Sequence, residues 1–353
     1  MNEFEIIARF FARPPKTALL GVGDDCALVK APDGLALAVT TDMLVEGVHF
    51  LRGVDPHSLG HKALAVNLSD LAAMGADPRW GTLALALPSA DESWLAGFAR
   101  GLFELAGRYQ LELIGGDTTR GPLNVCITVM GLSPPGLALR RDGARAGDDV
   151  WLSGRTGEAA LAVAAQRGAL SLSDEHLAAC RRRLDWPEPR VALGMALRQV
   201  ATSAIDISDG LVQDLGHVCE RSGLSACLQT ALIPRAPAVT AAGDAGTQAM
   251  LGGGDDYELC FTAPPSQRER IAGIAARLGL PLTRIGVMSE AAAAAQAAAG
   301  ARGDAAGQAA TAAQGAAAPQ AAAVAHTAPL VTVLDERGGI VSGLRPGFDH
   351  FGQ

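Results

Sequence analysis

Two consecutive domains, each mixing helices with short strands in an α/β (α+β) manner, are what this sequence predicts, and three observations carry that expectation. The chain has 353 residues, more than a single hydrophobic core usually serves. Its residues are 49% hydrophobic and 19% charged, the balance of a globular protein rather than a disordered or fibrous one. Helical periodicity alternates with short apolar runs through both halves, as layers of helix on sheet require.

Taken in order, Phe4, Ile7, Ala8 and Phe11 recur at helical spacing and predict a short amphipathic opening helix. Residues 35–40 are apolar and few, predicting a buried strand that runs into a polar loop at Thr40-Thr41-Asp42. Residues 57–74 keep helical periodicity until Gly75, which stops the helix as a C-terminal glycine does. Strand-like runs at 82–87 and 125–130 flank a helix from about 91 to 109. The text then turns rich in Gly and Asp over 143–149, and Val150-Trp151-Leu152-Ser153 opens a new strand, so the expected domains are 1–142 and 143–353. The second domain is read as helices at about 158–167, 190–201 and 211–222, with a strand at 258–262.

Between about 290 and 329 the sequence collapses to alanine with Gly, Gln and a few polar residues, interrupted by Gly300, Gly303, Gly307 and Gly315. So little apolar surface does not offset the entropy of ordering, and the stretch is read as a disordered insertion in the second domain. Residues 330–334 and 340–344, separated by Asp335-Glu336-Arg337-Gly338-Gly339, predict a closing β-hairpin.

Charge and composition exclude several functions. A net charge of −8 argues against nucleic acid as a partner, because such binding runs on neutralising phosphates with Lys and Arg. The six cysteines form no C-x-x-C pair and read as reduced, mostly buried thiols. The acidic start carries no secretory leader and no run of about 18 apolar residues follows, so a cytoplasmic protein without a membrane segment is expected. The lysines are Lys16, Lys30 and Lys62 alone, so any phosphate clamp is expected to be an arginine.

The chemistry-bearing signal is a recurring pairing of aspartate with glycine, or with Thr and Ser, in loops that follow apolar strands. It occurs at Gly23-Asp24-Asp25, Thr40-Thr41-Asp42, Ser69-Asp70, Gly115-Gly116-Asp117, Asp206-Ile207-Ser208-Asp209-Gly210 and Gly253-Gly254-Asp255-Asp256. One such pair is an ordinary turn. Several that converge would repel one another and raise their pKa values unless cations sit between them, and Mg²⁺ prefers hard oxygen ligands completed by water and phosphate. Glycine lets backbone N–H groups come close to those phosphates. No G-x-x-x-x-G-K-[ST] loop, H-R-D, D-F-G or H-E-x-x-H is present, which removes the P-loop, protein-kinase and zincin readings.

In sequence order the longer motifs are G-V-G-D-D-C-A-L (21–28), T-T-D-M-L-V-E-G-V-H-F (40–50), A-V-N-L-S-D-L-A-A-M-G-A-D-P (65–78), L-I-G-G-D-T-T-R-G (113–121), I-D-I-S-D-G-L (205–211), G-G-D-D-Y-E-L-C-F (253–261) and G-F-D-H-F (347–351). Together they resemble the thiamine-monophosphate kinases, of the ATP-binding superfamily typified by aminoimidazole ribonucleotide synthetase. The series covers nearly the whole chain apart from the alanine-rich stretch.

That resemblance implies a two-domain aminoimidazole ribonucleotide synthetase-like fold, with the N-terminal domain pairing with its copy in a homodimer barrel. It implies transfer of a phosphoryl group from ATP to thiamine monophosphate by direct in-line attack, with no protein nucleophile. It assigns several Mg²⁺ ions to Asp25, Thr40, Thr41, Asp42, Asp70, Asp117, Asp206 and Asp209, and ATP to Gly116, Asp117, Arg141 and Ser208. Thiamine contacts fall on His49, Asp255 and Phe348. Two anionic phosphates must be brought together, so catalysis by positioning and charge neutralisation suits this chemistry. Competing expectations are another member of the superfamily with a different acceptor, or an ATP-binding protein without turnover. Selenophosphate synthetase would place a reactive Cys near a Lys close to its N-terminus, and the first twenty residues here hold no Cys.

Overall fold

The computed structural model describes residues 1–23, 26–290, 330–344 and 347, so Asp25, Phe348 and the expected insertion lie outside the described residues. The chain opens with α1 (Glu3–Ile6), whose start is fixed by a capping box. The Asn2 side chain accepts from the Glu5 N–H, and Glu5 accepts from the Asn2 N–H. A single π-helical turn, Ile7–Phe11, continues it, and the buried side is Ile6, Phe10 and Phe11 rather than the expected Phe4, Ile7, Ala8 and Phe11, since Phe4 is 77% exposed and Ala8 is exposed.

The first sheet is built from β1 (Ala36–Val45), β2 (Asp77–Leu87), β3 (Glu112–Arg120) and β4 (Asn124–Ser133), in the spatial order β1-β4-β2-β3. Two helices, α2 (Pro56–Ala73) and α3 (Glu92–Arg108), accompany it. Asp55 caps α2 by accepting from the N–H groups of His57 and Ser58, and Pro56 occupies the first turn where no N–H is needed. Gly75, at φ +62°, turns the chain out of α2 while its N–H and that of Ala76 bond back to Ala72 and Leu71. Leu83, Leu85, Val125, Ile127 and Val129 fill the core with Leu59, Leu64 and Leu68 of α2 and Phe98 of α3.

Two expectations change here. Residues 35–40 do not form a buried strand ending in a loop, because β1 runs on through Thr40-Thr41-Asp42 to Val45 and pairs with β4 residue by residue. As an edge strand it buries only Leu44 fully, with Leu37, Val39 and Met43 exposed on one face. The hydroxyl-rich segment was mistaken for a loop, although β-branched threonines suit a pleated surface. Likewise Gly115-Gly116-Asp117 lies inside β3, paired with β2, rather than in a loop after it. Gly116 is held at φ +146°, where an added Cβ would fall 1.9 Å from the Leu83 carbonyl oxygen, so this crossing needs glycine.

The second sheet holds β5 (Asp149–Ser153), β6 (Ser203–Asp206), β7 (Leu224–Gln229), β8 (Leu259–Ala263), β9 (Leu282–Glu290) and β10 (Val331–Leu334), ordered β10-β7-β9-β5-β8-β6. Its helices are α4 (Glu158–Gln166), α5 (Asp174–Asp185), α6 (Val191–Leu197), α7 (Leu211–Ser222), α8 (Pro237–Ala241), α9 (Gly243–Gly252) and α10 (Arg268–Leu278). The expected helix at 190–201 ends early, since Arg198 turns extended and sends its guanidinium to the Gly75 carbonyl at 2.6 Å. Of the expected hairpin, the first arm becomes β10, parallel to β7. The second arm is tied to the first by a bridge from Ile340 to Leu334 and a Val341 N–H bond to Val333 rather than by a strand ladder.

The two halves are not beads on a string. One apolar cluster runs from Leu59 and Leu68 through Leu193 and Leu197 to Phe261. Polar ties reinforce it: the His61 ring meets the Pro187 carbonyl at 2.8 Å, buried, which holds α2 against the chain leading into α6. Helix α2 is therefore central to the fold, and its far side faces the second sheet.

Candidate active site

A cleft of about 1420 Å³ opens along that contact, lined by β1, the loop at 46–55, α2, α4, α5 and the loops at 206–209 and 254–257. Alternation along β1 turns Thr40, Asp42 and Leu44 to one side. On α2, Lys62, Val66, Ser69 and Asp70 share a face because they stand four, seven and eight residues apart. Asp206 ends β6, and the chain turns over Ile207-Ser208-Asp209 before α7 begins.

Hydrogen bonds fix the carboxylates in place. The Thr40 hydroxyl donates to Asp70 and the Ser69 hydroxyl donates to Asp206 at 2.7 Å. The backbone N–H of Asp42 donates to the Asn67 side-chain oxygen at 3.1 Å. Asp214, at the first turn of α7, accepts from the N–H groups of Ser208, Asp209 and Gly210 at 3.0 to 3.1 Å, which shapes the turn that carries Ser208 and Asp209. That turn is laced to the next loop, where the Asp255 N–H bonds to the Ser208 carbonyl and the Tyr257 N–H to that of Ile207. Gly254 permits the approach, since a Cβ there would stand 2.1 Å from the Ser208 carbonyl oxygen.

The electrostatics are those of crowded anions. Burial, and then the charge of Asp70, push Asp42 up to about 7. Burial, and then Asp70, raise Asp206 to about 8 against the Ser69 hydrogen bond. Asp70 is itself raised by burial, opposed by the Thr40 hydroxyl and the positive charge of Arg141. Asp214 reaches about 7 through burial, despite its three N–H donors. Asp42, Asp70 and Asp206 thus feel one another's charge and converge. Among the described residues no three His, Cys, Asp or Glu side chains stand close enough to enclose an ion by themselves.

The cleft gathers seven of the residues singled out from sequence: Asp42, His49, Asp70, Asp206, Ser208, Asp209 and Asp255. His49 accepts the Val45 N–H at its Nδ1, 3.0 Å away. Thr40 joins through Asp70, and Arg141 through its electrostatic reach to the same carboxylate. Three others are not brought in. The Thr41 hydroxyl meets that of Thr128 at 2.7 Å on the opposite face of the sheet. Asp117 pairs across the sheet with Ala84, in the row of Cys126 and Met43, and so also lies on the face away from Asp42. Gly116 precedes it on β3. Asp25 and Phe348 are outside the described residues. Gly347, just before Phe348, lies against the Asp209 carbonyl, within 2.5 Å of where its Cβ would be.

Sequence reading gave no role to Lys62, Asn67, Asp214 and Tyr257, and named Ser69 only as the neighbour of Asp70. Lys62 ion-pairs with Asp255 at 2.9 Å, and the Tyr257 hydroxyl donates to the same oxygen at 2.9 Å. A signal for Lys62 was present, because it is one of three lysines and stands eight residues before Asp70 on a helix.

Comparison with known proteins agrees with this geometry. A family model described as AIR synthase related protein, N-terminal domain, matches residues 23–133, and its C-terminal counterpart matches residues 145–295. The thiamine-monophosphate kinase of Salmonella typhimurium is 48% identical over 296 residues, 82% of this chain and 90% of that one. The crystal structure of thiamine-monophosphate kinase from Stenotrophomonas maltophilia K279a superposes with a TM-score of 0.75 at 47% identity, covering 81% of this chain and 92% of that one. AaThiL complexed with AMPPCP and TMP gives a TM-score of 0.71 at 26% identity, over 91% of this chain and 89% of that one. With such identity over most of both chains, and Asp42, Asp70, Asp206, Asp209 and Asp255 of its motifs lining one cleft, the chain belongs to the thiamine-monophosphate kinase family of AIR synthase related proteins.

Proposed function

We infer that this chain phosphorylates thiamine monophosphate with ATP, yielding thiamine diphosphate and ADP, the last step in making that diphosphate. The observation that carries the reading is the convergence of Asp42, Asp70 and Asp206 beside a large cleft, in a chain whose relatives bear that activity in their names. AaThiL holds an ATP analogue and TMP together, which supports both substrates binding in one site here.

Several Mg²⁺ ions fit these residues. The donors are hard carboxylate oxygens, and the burial and then the mutual repulsion that raise their pKa values are a cost that a bound cation relieves. Asp42, Asp70, Asp206 and Asp209 would hold the ions with Thr40, phosphate oxygens completing shells that the protein leaves incomplete, and Asp25, Thr41 and Asp117 adding to them. Bound there, Mg²⁺ supplies charge neutralisation between two phosphates. The protein's part is positioning. Ser208 and Arg141 hold the ATP phosphates with Gly116 and Asp117, while His49, Asp255 and Phe348 hold the thiamine. No side chain of the cleft needs to act as a nucleophile, since the acceptor phosphate brings its own oxygen.

A homodimer accounts for the residues one chain leaves apart. The open face of the first sheet exposes Val39 (57%) and Met43 (53%), and it carries Asp117. Pairing this face with its copy would cover the apolar row and bring Gly116 and Asp117 to a partner's cleft. Domains at 1–142 and 143–353 suit the two sheets. No helix among the described residues is long and apolar enough to cross a membrane, and the cytoplasm is the compartment proposed.

Incubation with ATP, Mg²⁺ and thiamine monophosphate is expected to give thiamine diphosphate, with inversion at a chiral γ-phosphorus. Absence of the diphosphate overturns the function; retention overturns direct transfer.

A further inference from the structure

Four cations lie along the cleft, and Arg52, Arg167 and Arg181 are all exposed. Lys62 is the exception, with only 5% of its surface accessible. An ammonium so placed is costly unless compensated, and its one ion-pair partner among the described residues is Asp255. The pair is asymmetric. Asp255 is anchored: its Oδ1 also takes the Tyr257 hydroxyl, its N–H holds the Ser208 carbonyl, and its backbone sits at φ +67°. Tyr257 is likewise left-handed at φ +52°, a strain that non-glycine residues bear only when their surroundings enforce it. Lys62 has no second ion pair among the described residues, and its ammonium ends a four-carbon stem with several rotatable bonds. Asp185, also on the cleft, feels its charge.

We propose that Lys62 is an acceptor-binding residue, and that the Lys62–Asp255 pair is a removable internal counter-charge for an acceptor carrying both a fixed cation and a phosphate. This rests on the function proposed above. A thiazolium monophosphate is itself a cation joined to an anion. On binding, its cation takes the place of the ammonium beside Asp255, and the released ammonium turns to its phosphate. One ion pair becomes two, so neither Asp255 nor Lys62 is left buried and uncompensated. The exchange explains why a cleft dominated by carboxylates keeps one buried lysine in a chain whose basic residues are mostly arginine.

The test compares thiamine with thiamine monophosphate on wild type, Lys62→Met and Lys62→Arg. In Lys62→Met the KM for thiamine monophosphate is expected to rise about tenfold or more, the scale of a lost buried charge pair. The KM for ATP is expected to stay within about twofold, and unphosphorylated thiamine, which carries only the cation, to inhibit at least as tightly as in wild type. Lys62→Arg is expected to recover most of the loss, and Lys62→Gln takes the place of Lys62→Met if that variant does not fold. Equal weakening of both thiamine forms would show a purely structural tie and overturn the proposal, as would an unchanged KM for the monophosphate. If wild type makes no thiamine diphosphate, the function fails instead; calorimetric binding of the two thiamine forms to the same proteins then still decides the role of Lys62.

Discussion

The two faces of the first sheet are finished to different degrees. Toward α2, β1 presents Thr40 and Asp42 to a helix that returns Ser69, Asp70 and Lys62, and every one of these side chains except Asp42 has a named partner. On the opposite face, Thr41 meets only Thr128, Val39 and Met43 are bare, and Asp117 is exposed. One strand thus serves a completed cleft with its even-numbered residues and an open surface with its odd-numbered ones. The difference teaches that a single chain builds its own carboxylate cluster but only part of the set its motifs name.

The largest expected effect falls on the finished face. Asp42→Asn is expected to lower kcat at least about 100-fold, the scale of losing one preorganised electrostatic contact, while far-ultraviolet circular dichroism stays unchanged. Near-normal turnover would remove Asp42 from the machinery. On the open face, Val39→Asp places a charge in the apolar row and is expected to shift the protein from dimer to monomer in sedimentation, with at least about tenfold less activity. A variant that stays fully active as a monomer would show that the open face contributes nothing to the site.

A smaller effect sharpens the electrostatic side. Asp42, Asp206 and Asp214 have folded pKa values of about 7, 8 and 7, above 3.8 for the unfolded chain. The metal-free folded protein therefore binds more protons than the unfolded chain between those limits, and its stability falls as pH rises from about 4 through about 8. The melting temperature of the metal-free protein is expected to be lower at about pH 8.5 than at about pH 5.5, and Mg²⁺ to raise it more at the higher pH, where protons no longer compete. The reverse order would contradict the crowding of these carboxylates.

The smallest effect is expected far from either face. Glu290 and Leu330 both lie beside the start of β7, two strand spacings or roughly 10 Å apart. Replacing residues 291–329 by a flexible linker of about six residues is expected to leave melting temperature and activity nearly unchanged. A strong loss in either would show that the alanine-rich stretch has a role in the enzyme.

Much of this was legible in the sequence where local chemistry decides the outcome. Gly75 closing α2, and the helix over 211–222 reproduced by α7, follow from periodicity and termination signals. What was not legible depends on long-range pairing. Thr40-Thr41-Asp42 reads as a loop until β4 is alongside it, and Gly116 reads as a turn until Leu83 crosses it. Helix α5 is rich in arginine and buries only Cys180 and Leu184 fully, so few apolar residues mark it in the sequence. At the site, motif order pointed to aspartates but not to their supports. Ser69 and Asn67 matter through what they touch across the fold, and hydrogen bonds to residues 137 and 25 positions away leave no mark on either sequence neighbourhood, whereas Asp214 acts locally on the N–H groups of Ser208, Asp209 and Gly210. Lys62 was visible as a rarity, and only the structure set it against Asp255.

The most direct test follows thiamine diphosphate formation from ATP and thiamine monophosphate as Mg²⁺ is titrated into metal-free protein. The carboxylate cleft predicts no product without a divalent ion, product rising with Mg²⁺, and one ADP for each thiamine diphosphate. ADP released without thiamine diphosphate, or full activity in the absence of any divalent ion, would contradict it.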